Sequence, residues 1–334
     1  MRRALQLARM GRGFASPNPM VGAVIVRRGL IIGEGYHRRC GAPHAEVNAV
    51  RSVKDPALLR DSTIYVTLEP CAHYGKTPPC AKLIIDCGIP RVVIGCTDPF
   101  AKVSGRGIAM LREAGVEVVT GVLEDECLAL NRVFMTAHTL RRPYVLLKWA
   151  MSADGFTDRH RSPGESPALF SSAITSQQVH LLRSRFDAIM VGGGTVAADM
   201  PRLDVRRISG RAPLPVVLDR RGIAPASAPL FLTPGCLCFS DAPRTDLPGT
   251  TELLATRGIP DVLAELYRRG VTSLMVEGGP ILLREFLTCG LWDEARVEIA
   301  PFALGAEGTG HMDLPEGTLG FERLDGRTIV TVCR

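Results

Sequence analysis

From residue 21 the chain alternates short runs of β-branched and aliphatic residues with stretches whose apolar positions recur at helical spacing. VGAVIV (21–26), LIIGEG (30–35), STIYVTL (62–68), RVVIGC (91–96) and VEVVTGV (116–122) read as strands. Between and after them HAEVNAVRSV (44–53), PPCAKLIIDCG (78–88), GIAMLREAG (107–115) and one long stretch, LEDECLALNRVFMTAHTL (123–140), read as helices. Pro143 disfavours helical geometry in the residue before it, so the long helix stops near Arg142 and a strand, YVLLKWAMS (144–152), begins. The grammar then repeats with SQQVHLLRSR and DVLAELYRRG as helices and with DAIMVGGG, LPVVLD and SLMVEGG as strands, two of them ending in glycine turns. Alternation of this kind predicts α/β sheets covered by helices. Residues 159–168 and 222–250, rich in Pro, Gly and Ser, read as surface loops.

Length sets the domain count. A chain of 334 residues is about twice an ordinary domain, which places one domain over 1–142 and a second over 143–334. No apolar run approaches the roughly 18 to 20 residues of a membrane span, and the basic start, MRRALQLARMGRG, reads as an amphipathic helix rather than a signal peptide. A membrane role is therefore not expected. The ten cysteines form no dense framework, which suggests free thiols or metal ligands in a cytoplasmic, reducing setting. The formal charge of +6 is spread in arginine pairs rather than gathered in a block with aromatics, so a small anionic substrate accounts for it better than nucleic acid.

The chemistry concentrates in His44-Ala45-Glu46, Glu69-Pro70-Cys71 and Pro78-Pro79-Cys80. One imidazole and two thiolates, from His44, Cys71 and Cys80, leave a fourth tetrahedral position open, the arrangement of a catalytic zinc. Cys80 follows Pro79 at the start of an apolar helical run, where the helix dipole favours a thiolate. Glu46 is the candidate proton carrier between attacking water and departing ammonia. Taken singly, each of these residues reads as well as surface or core packing. The ordered constellation has the deaminase pattern, except that its cysteines stand nine positions apart instead of three. The remaining cysteines lack such company, and Cys236-Leu237-Cys238 reads as strand packing.

SPNPMVGAVIV, GEGYH, PHAEVNAV, YVTLEPCAHYGKTPPC and TDPFAKVSGRG together resemble the first half of the bifunctional pyrimidine deaminase/reductases of bacterial riboflavin biosynthesis. The eight residues AHYGKTPP between the cysteines separate this family from deaminases with the short spacing. KWAMSADG, GES, GGGTVAADMPRLDVR and VEGGP follow in the order of its reductase half. The resemblance implies an N-terminal cytidine-deaminase-like α/β/α domain and a C-terminal dihydrofolate-reductase-like α/β domain, with Zn2+ and NADPH as cofactors and a phosphoribosylaminopyrimidine as substrate. It implies removal of the 2-amino group from that pyrimidine, then reduction of its ribosyl group to ribityl. Carried over by position, Asn18, His37, His73 and Lys76 would contact substrate in the first domain. In the second, Ser166, Arg183, Leu203, Arg206 and Glu277 would hold substrate, the two arginines through its phosphate. Ala150, Thr195, Asp199, Gly278 and Gly279 would line the cofactor, with Asp199 and Lys148 handling protons.

Two places depart from the pattern. Where a Trp-Ile-Thr segment commonly follows GES, the chain reads Pro167-Ala168-Leu169-Phe170-Ser171-Ser172, and where a serine is often expected after Asp219 it has Arg220. These departures keep open a deaminase whose second domain binds nucleotide without reducing it. A nucleic-acid module with structural zinc is a third reading, which would call for a fourth protein ligand and a concentrated basic face. Whether copies associate, and whether NADH could replace NADPH, is left open by the sequence.

Overall fold

The computed structural model describes residues 1–74, 78–99, 105–162, 165–256 and 258–334. The backbone divides into two compact units, Met1–Arg141 and Arg142–Arg334. In the first, the order is α1 (Arg2–Arg9), β1 (Gly22–Arg27), β2 (Leu30–Tyr36), α2 (Ala45–Ser52), β3 (Thr63–Leu68), α3 (Cys80–Asp86), β4 (Arg91–Cys96), α4 (Arg106–Glu113), β5 (Glu117–Val119), α5 (Glu124–Leu130) and α6 (Arg132–Leu140). The sheet runs β2-β1-β3-β4-β5, antiparallel across β2, β1 and β3 and parallel from β3 to β5. Strand alternation divides the core between the two faces: Ala23 and Ile25 pack with Ala45 and Ala49 of α2 and Ile84 of α3, while Val24 packs with Ala4 and Leu7 of α1. Helix α2 lies directly on the backbone of β2, because a Cβ on Gly35 would meet Ala49 N at 2.3 Å. That contact fixes the start of α2, where His44 and Glu46 sit.

The single helix expected over 123–140 is two helices. Asn131, at φ −106 and ψ 20, leaves helical geometry because its side chain is bonded elsewhere. Its Oδ1 accepts from Met20 N at 2.8 Å and its Nδ2 donates to Met20 O at 2.9 Å, tying the loop that carries Asn18 to the helix junction. The sequence has no local sign of a bond spanning 111 residues.

The second unit follows as β6 (Tyr144–Met151), β7 (Phe156–Arg159), α7 (Ala173–Arg183), β8 (Ala188–Gly192), α8 (Gly193–Asp199), β9 (Leu214–Leu218), β10 (Cys236–Phe239), β11 (Thr251–Leu254), α9 (Ile259–Arg268), β12 (Ser273–Glu277), α10 (Pro280–Cys289), β13 (Glu294–Ile299), β14 (Gly308–His311), β15 (Thr318–Leu324) and β16 (Arg327–Cys333). Nine strands order as β11-β10-β9-β8-β12-β6-β13-β16-β15, parallel from β11 to β13 and closed by antiparallel β16 and β15. β7 and β14 form a separate antiparallel ribbon. The central strands are near-continuous apolar runs because both faces are covered: Ala188, Met190, Val216 and Leu218 pack on one side with α9 and α10, and Ile189, Val191 and Val217 on the other with Val196, Leu230 and Phe231.

The reading of 222–250 as surface loop is corrected here. That segment contains β10, whose Cys236, Leu237, Cys238 and Phe239 are all buried in the sheet. A four-residue strand between Pro234-Gly235 and Pro243 carries too short a periodic signal to stand out. The packing reading of the two cysteines holds, since Cys236 and Cys238 point into the same apolar cluster. Among the described residues no helix is long and apolar enough to cross a membrane.

Replacing Asn131 by Ala strands both backbone groups of Met20, so the first unit should lose about 1–3 kcal/mol. Hydrogen exchange of the β1 and β3 amides reads this loss; unchanged protection would contradict the anchoring role.

Candidate functional site

His44 is the residue preceding α2, Cys71 ends the turn after β3, and Cys80 is the first residue of α3. The His44 ring nitrogen and the two Sγ atoms lie within 4.8 Å of one another, with Nδ1 3.6 Å from Cys71 Sγ and 3.3 Å from Cys80 Sγ. A tetrahedral zinc with bonds of about 2.1 Å to nitrogen and about 2.3 Å to sulfur holds those atoms about 3.6 Å apart, so the donor set fits this metal. The Cys80 backbone N–H donates to Cys71 Sγ at 3.3 Å, bringing a helix N-terminus onto the sulfur. Hydrogen bonds from the Cys80 thiol and from His44 lower the Cys71 pKa, which leaves it a ready thiolate ligand.

Glu46, in the first turn of α2, is 3% exposed. Burial, and after it the negative charge of Cys71, push its carboxyl up to about 7. A bound dication acts in the opposite direction. A carboxyl balanced in this way can both take and return a proton near neutral pH.

Beside the triad, His37 Nδ1 lies 3.2 Å from Pro43 O and its Nε2 lies 3.2 Å from Asn18 Nδ2. The carbonyl can only accept, so Nδ1 carries the proton and Nε2 accepts from Asn18. Burial lowers the His37 pKa and keeps the ring neutral. The structure therefore joins Asn18 and His37 to one another and, through the 5.6 Å edge contact of His37 with His44, to the cysteines. His73 is exposed on the turn after Cys71, and Lys76 lies outside the described residues.

In the second unit a cleft of about 790 Å3 opens at the carboxyl ends of β6, β8, β9 and β12. That is where ligands bind in parallel sheets, and the volume is ordinary for a ligand site. Lys148, Ala150, Arg183, Thr195, Asp199, Leu203, Glu277, Gly278 and Gly279 all line it. Gly194 faces open space, and Thr195 Oγ1 accepts from Gly279 N at 3.0 Å, stapling the two glycine turns together. Glycine edges on an open, partly apolar cleft fit a dinucleotide.

Arg183 is committed within the protein: its Nε and Nη2 meet Glu277 at 2.9 and 2.6 Å, and its Nη1 donates to Asp204 O at 3.1 Å. Burial would raise the Glu277 pKa, but the Arg183 charge, with Lys148 and His180 adding to it, holds the carboxyl below its usual range. Ser166 and Arg206 are exposed and not among the lining residues; the Arg206 guanidinium pairs with Asp204. Of the segment that stands in place of Trp-Ile-Thr, Phe170 lines the cleft and stacks on Phe302 at 5.9 Å, while Ser172 caps α7.

The profile of the RibD C-terminal domain matches residues 143–324, and that of the cytidine and deoxycytidylate deaminase zinc-binding region matches residues 1–96. The riboflavin biosynthesis protein RibD of Actinobacillus pleuropneumoniae is 38% identical over 97% of this chain and 88% of its own length. The chain belongs to the RibD family. RibD of Escherichia coli K12 is 37% identical over 97% of this chain and 92% of its own. The crystal structure of the Thermotoga maritima diaminohydroxyphosphoribosylaminopyrimidine deaminase/5-amino-6-(5-phosphoribosylamino)uracil reductase superposes with a TM-score of 0.90 at 36% identity, covering 100% of this chain and 97% of that one. RibD of Acinetobacter baumannii superposes with a TM-score of 0.87 at 34% identity, covering 99% and 97%. Like other RibD proteins, this one is a bifunctional deaminase and reductase of riboflavin biosynthesis, with a cytidine-deaminase-like first domain, a RibD reductase second domain, and zinc and NADPH as cofactors. It acts on a small molecule.

The sequence motif contains Glu69 without showing its role, and nothing in the sequence singles out Arg161. Glu69 is 3% exposed and accepts backbone N–H groups from Gly105 at 3.0 Å, Gly107 at 3.0 Å, Ile108 at 3.3 Å and Asp98 at 3.4 Å. It holds the Cys71 turn against the start of α4, and a Cβ on Gly107 would meet Pro70 O at 2.0 Å. An acid directly after the buried strand STIYVTL was the available signal. Arg161 binds Asp199 at 2.8 Å and Asp158 at 2.7 Å across the cleft wall, and only its neighbours in space reveal it. Replacing Glu69 by Ala should leave the three ligands in place yet weaken zinc binding by on the order of 10- to 100-fold, as loss of a ligand's supporting bonds does. Competition with a chelator measures it; unchanged affinity would remove Glu69 from the site.

Proposed function

We propose that the first unit removes the 2-amino group of 2,5-diamino-6-(5-phosphoribosylamino)pyrimidin-4-one and that the second reduces the ribosyl group of the product to ribityl. The observation that carries the first half is His44 Nδ1 lying 3.6 and 3.3 Å from two cysteine sulfurs beside a buried glutamate. His44, Cys71 and Cys80 hold zinc, which when bound lowers the pKa of water towards about 7 and supplies a nucleophile at neutral pH. Glu46 takes the proton of that water on a carboxylate oxygen and returns it to the departing amine, so that water and amidine become carbonyl and ammonia. Asn18 and neutral His37 form the adjoining hydrogen-bonding wall for the pyrimidine, with His73 and Lys76 contributing from the turn after Cys71.

In the second unit the glycine turns and Ala150 seat NADPH, which supplies hydride to the ribose carbon bonded to the exocyclic nitrogen. As that carbon gains hydride its bond to the ring oxygen breaks, and the Lys148 ammonium gives the oxygen its proton. Asp199 accepts from Arg161 at 2.8 Å beside the cofactor's place in the cleft. Glu277, held by Arg183, keeps the Lys148 ammonium in the cleft, and Leu203 closes the apolar wall. Ser166 and Arg206 serve the substrate's phosphate only if their segments draw in around it. The substrate is a phosphorylated small molecule rather than nucleic acid: the arginines are dispersed along the chain, and several are tied up in internal pairs such as Arg142–Asp293, Arg183–Glu277 and Arg244–Asp219 instead of forming a basic face. Ten unpaired cysteines fit a reducing cytoplasm.

Glu46→Gln tests the division of labour. It should keep zinc at wild-type stoichiometry and lose ammonia release by roughly 10²- to 10⁴-fold, the span of a lost general acid/base. Given the already deaminated intermediate, it should still oxidise NADPH. Near-normal ammonia release would remove Glu46 from the proton path; failure on the intermediate would unseat the two-site reading.

A further inference from the structure

Between α8 and β9 two bulky residues hold a backbone conformation that favours glycine. Met200 has φ 45 and Leu203 has φ 56, both left-handed. Side chains of this size keep such a conformation only where the surroundings fix it from several directions. Leu203 is 3% exposed, packs with Ile189, Val191 and Val196, and lines the cleft. The groups that fix its loop lie on α7.

His180 and Arg183 stand three residues apart on one face of that helix, and both bond the backbone of the segment 203–206. Arg183 Nη1 donates to Asp204 O at 3.1 Å while Nε and Nη2 hold Glu277. His180 is 3% exposed, and its Nδ1 accepts from Arg206 N at 3.2 Å. An amide N–H can only donate, so Nδ1 carries the lone pair and the neutral ring keeps its proton on Nε2. With a second proton the ring would turn a donor towards a donor. Burial first, then the charges of Arg183 on α7 and of Arg206 and Arg207 on the loop, lower the His180 pKa against the opposing charge of Asp204. Glu277 of β12 also acts on the ring. The acceptor is thus held in the form the loop requires.

We propose that His180 is a positioning residue of the reductase: its Nδ1 holds the Arg206 amide and so keeps Leu203 in the left-handed conformation that forms the substrate wall of the cleft. The inference rests on reading this cleft as the reductase site. Without the bond the loop relaxes out of the wall, the binding-competent fraction falls, and apparent affinity for the substrate falls with it. Substrate that does bind is still reduced, because Lys148 and the glycine turns belong to other elements.

Steady-state reduction of the already deaminated intermediate by the full chain tests it. His180→Leu removes the acceptor and should raise KM for the intermediate on the order of tenfold, the weight of one hydrogen bond whose donor is left without its partner. Its kcat and its KM for NADPH should stay within about twofold of wild type, the signature of lost ground-state binding. His180→Asn, whose side-chain oxygen can accept at the position of Nδ1, should return KM to within about twofold of wild type. As pH falls through the His180 pKa, below the ordinary imidazole value of about 6.5, the wild-type KM should climb and that of the asparagine variant should climb less. Comparing the two cancels the titration of the substrate's own phosphate. An unchanged KM in His180→Leu, an asparagine variant as impaired as the leucine one, or equal acid limbs in wild type and asparagine variant overturns the positioning role. A wild-type protein that does not oxidise NADPH in the presence of the intermediate overturns the reading of the cleft, and the role with it.

Discussion

The metal site depends on a carboxylate that touches no metal. Glu69 gathers the backbone N–H groups of Asp98, Gly105, Gly107 and Ile108, so the turn after β3 and the start of α4 move as one body. Cys71 is two residues along that turn, and the first N–H of α3 reaches back to its sulfur. The three candidate ligands come from three elements, and a helix start bonded to the loop that carries one of them helps set their spacing. Both oxygens of this buried carboxylate are satisfied by backbone N–H groups, which offsets the cost of taking it out of water.

The second unit solves a related problem with ion pairs. Its cleft brings together Lys148 of β6, Glu277 at the end of β12 and Arg183 at the end of α7, and Arg244 neutralises Asp219 beside the glycine turn. Buried pairs of this kind add little net stability, since desolvation offsets attraction, but removing one partner leaves an uncompensated charge. Their value lies in fixing which charges face the ligand. Glu277, Lys148, Asp219, Arg220 and Arg221 all line the cleft, with the Asp219 oxygens already bonded to Ile223 N, Ala224 N and Arg244.

These devices differ in how far the sequence reveals them. The His44, Cys71 and Cys80 cluster and the buried Glu46 are legible because each residue sits in a short motif with its own local signal: a histidine at a helix start, cysteines after prolines, a glutamate two residues on. The parallel strands are legible as apolar runs, and the glycine turns as their punctuation. What escapes is set by partners far along the chain. Asn131 splits a helix through a bond across 111 residues, and Arg183 pairs with Glu277 across 94. Strand β10 escapes for the opposite reason, being too short between Pro/Gly-rich flanks to show a period. Ser166 and Arg206 carry the right chemistry at matching positions, yet the backbone leaves them away from the cleft wall.

X-ray absorption at the zinc edge of the purified protein tests the central claim most directly. The account predicts a first shell of two sulfurs at about 2.3 Å, one imidazole nitrogen at about 2.1 Å and one further light atom. A shell of three or four sulfurs, or a protein that retains no zinc, would contradict it.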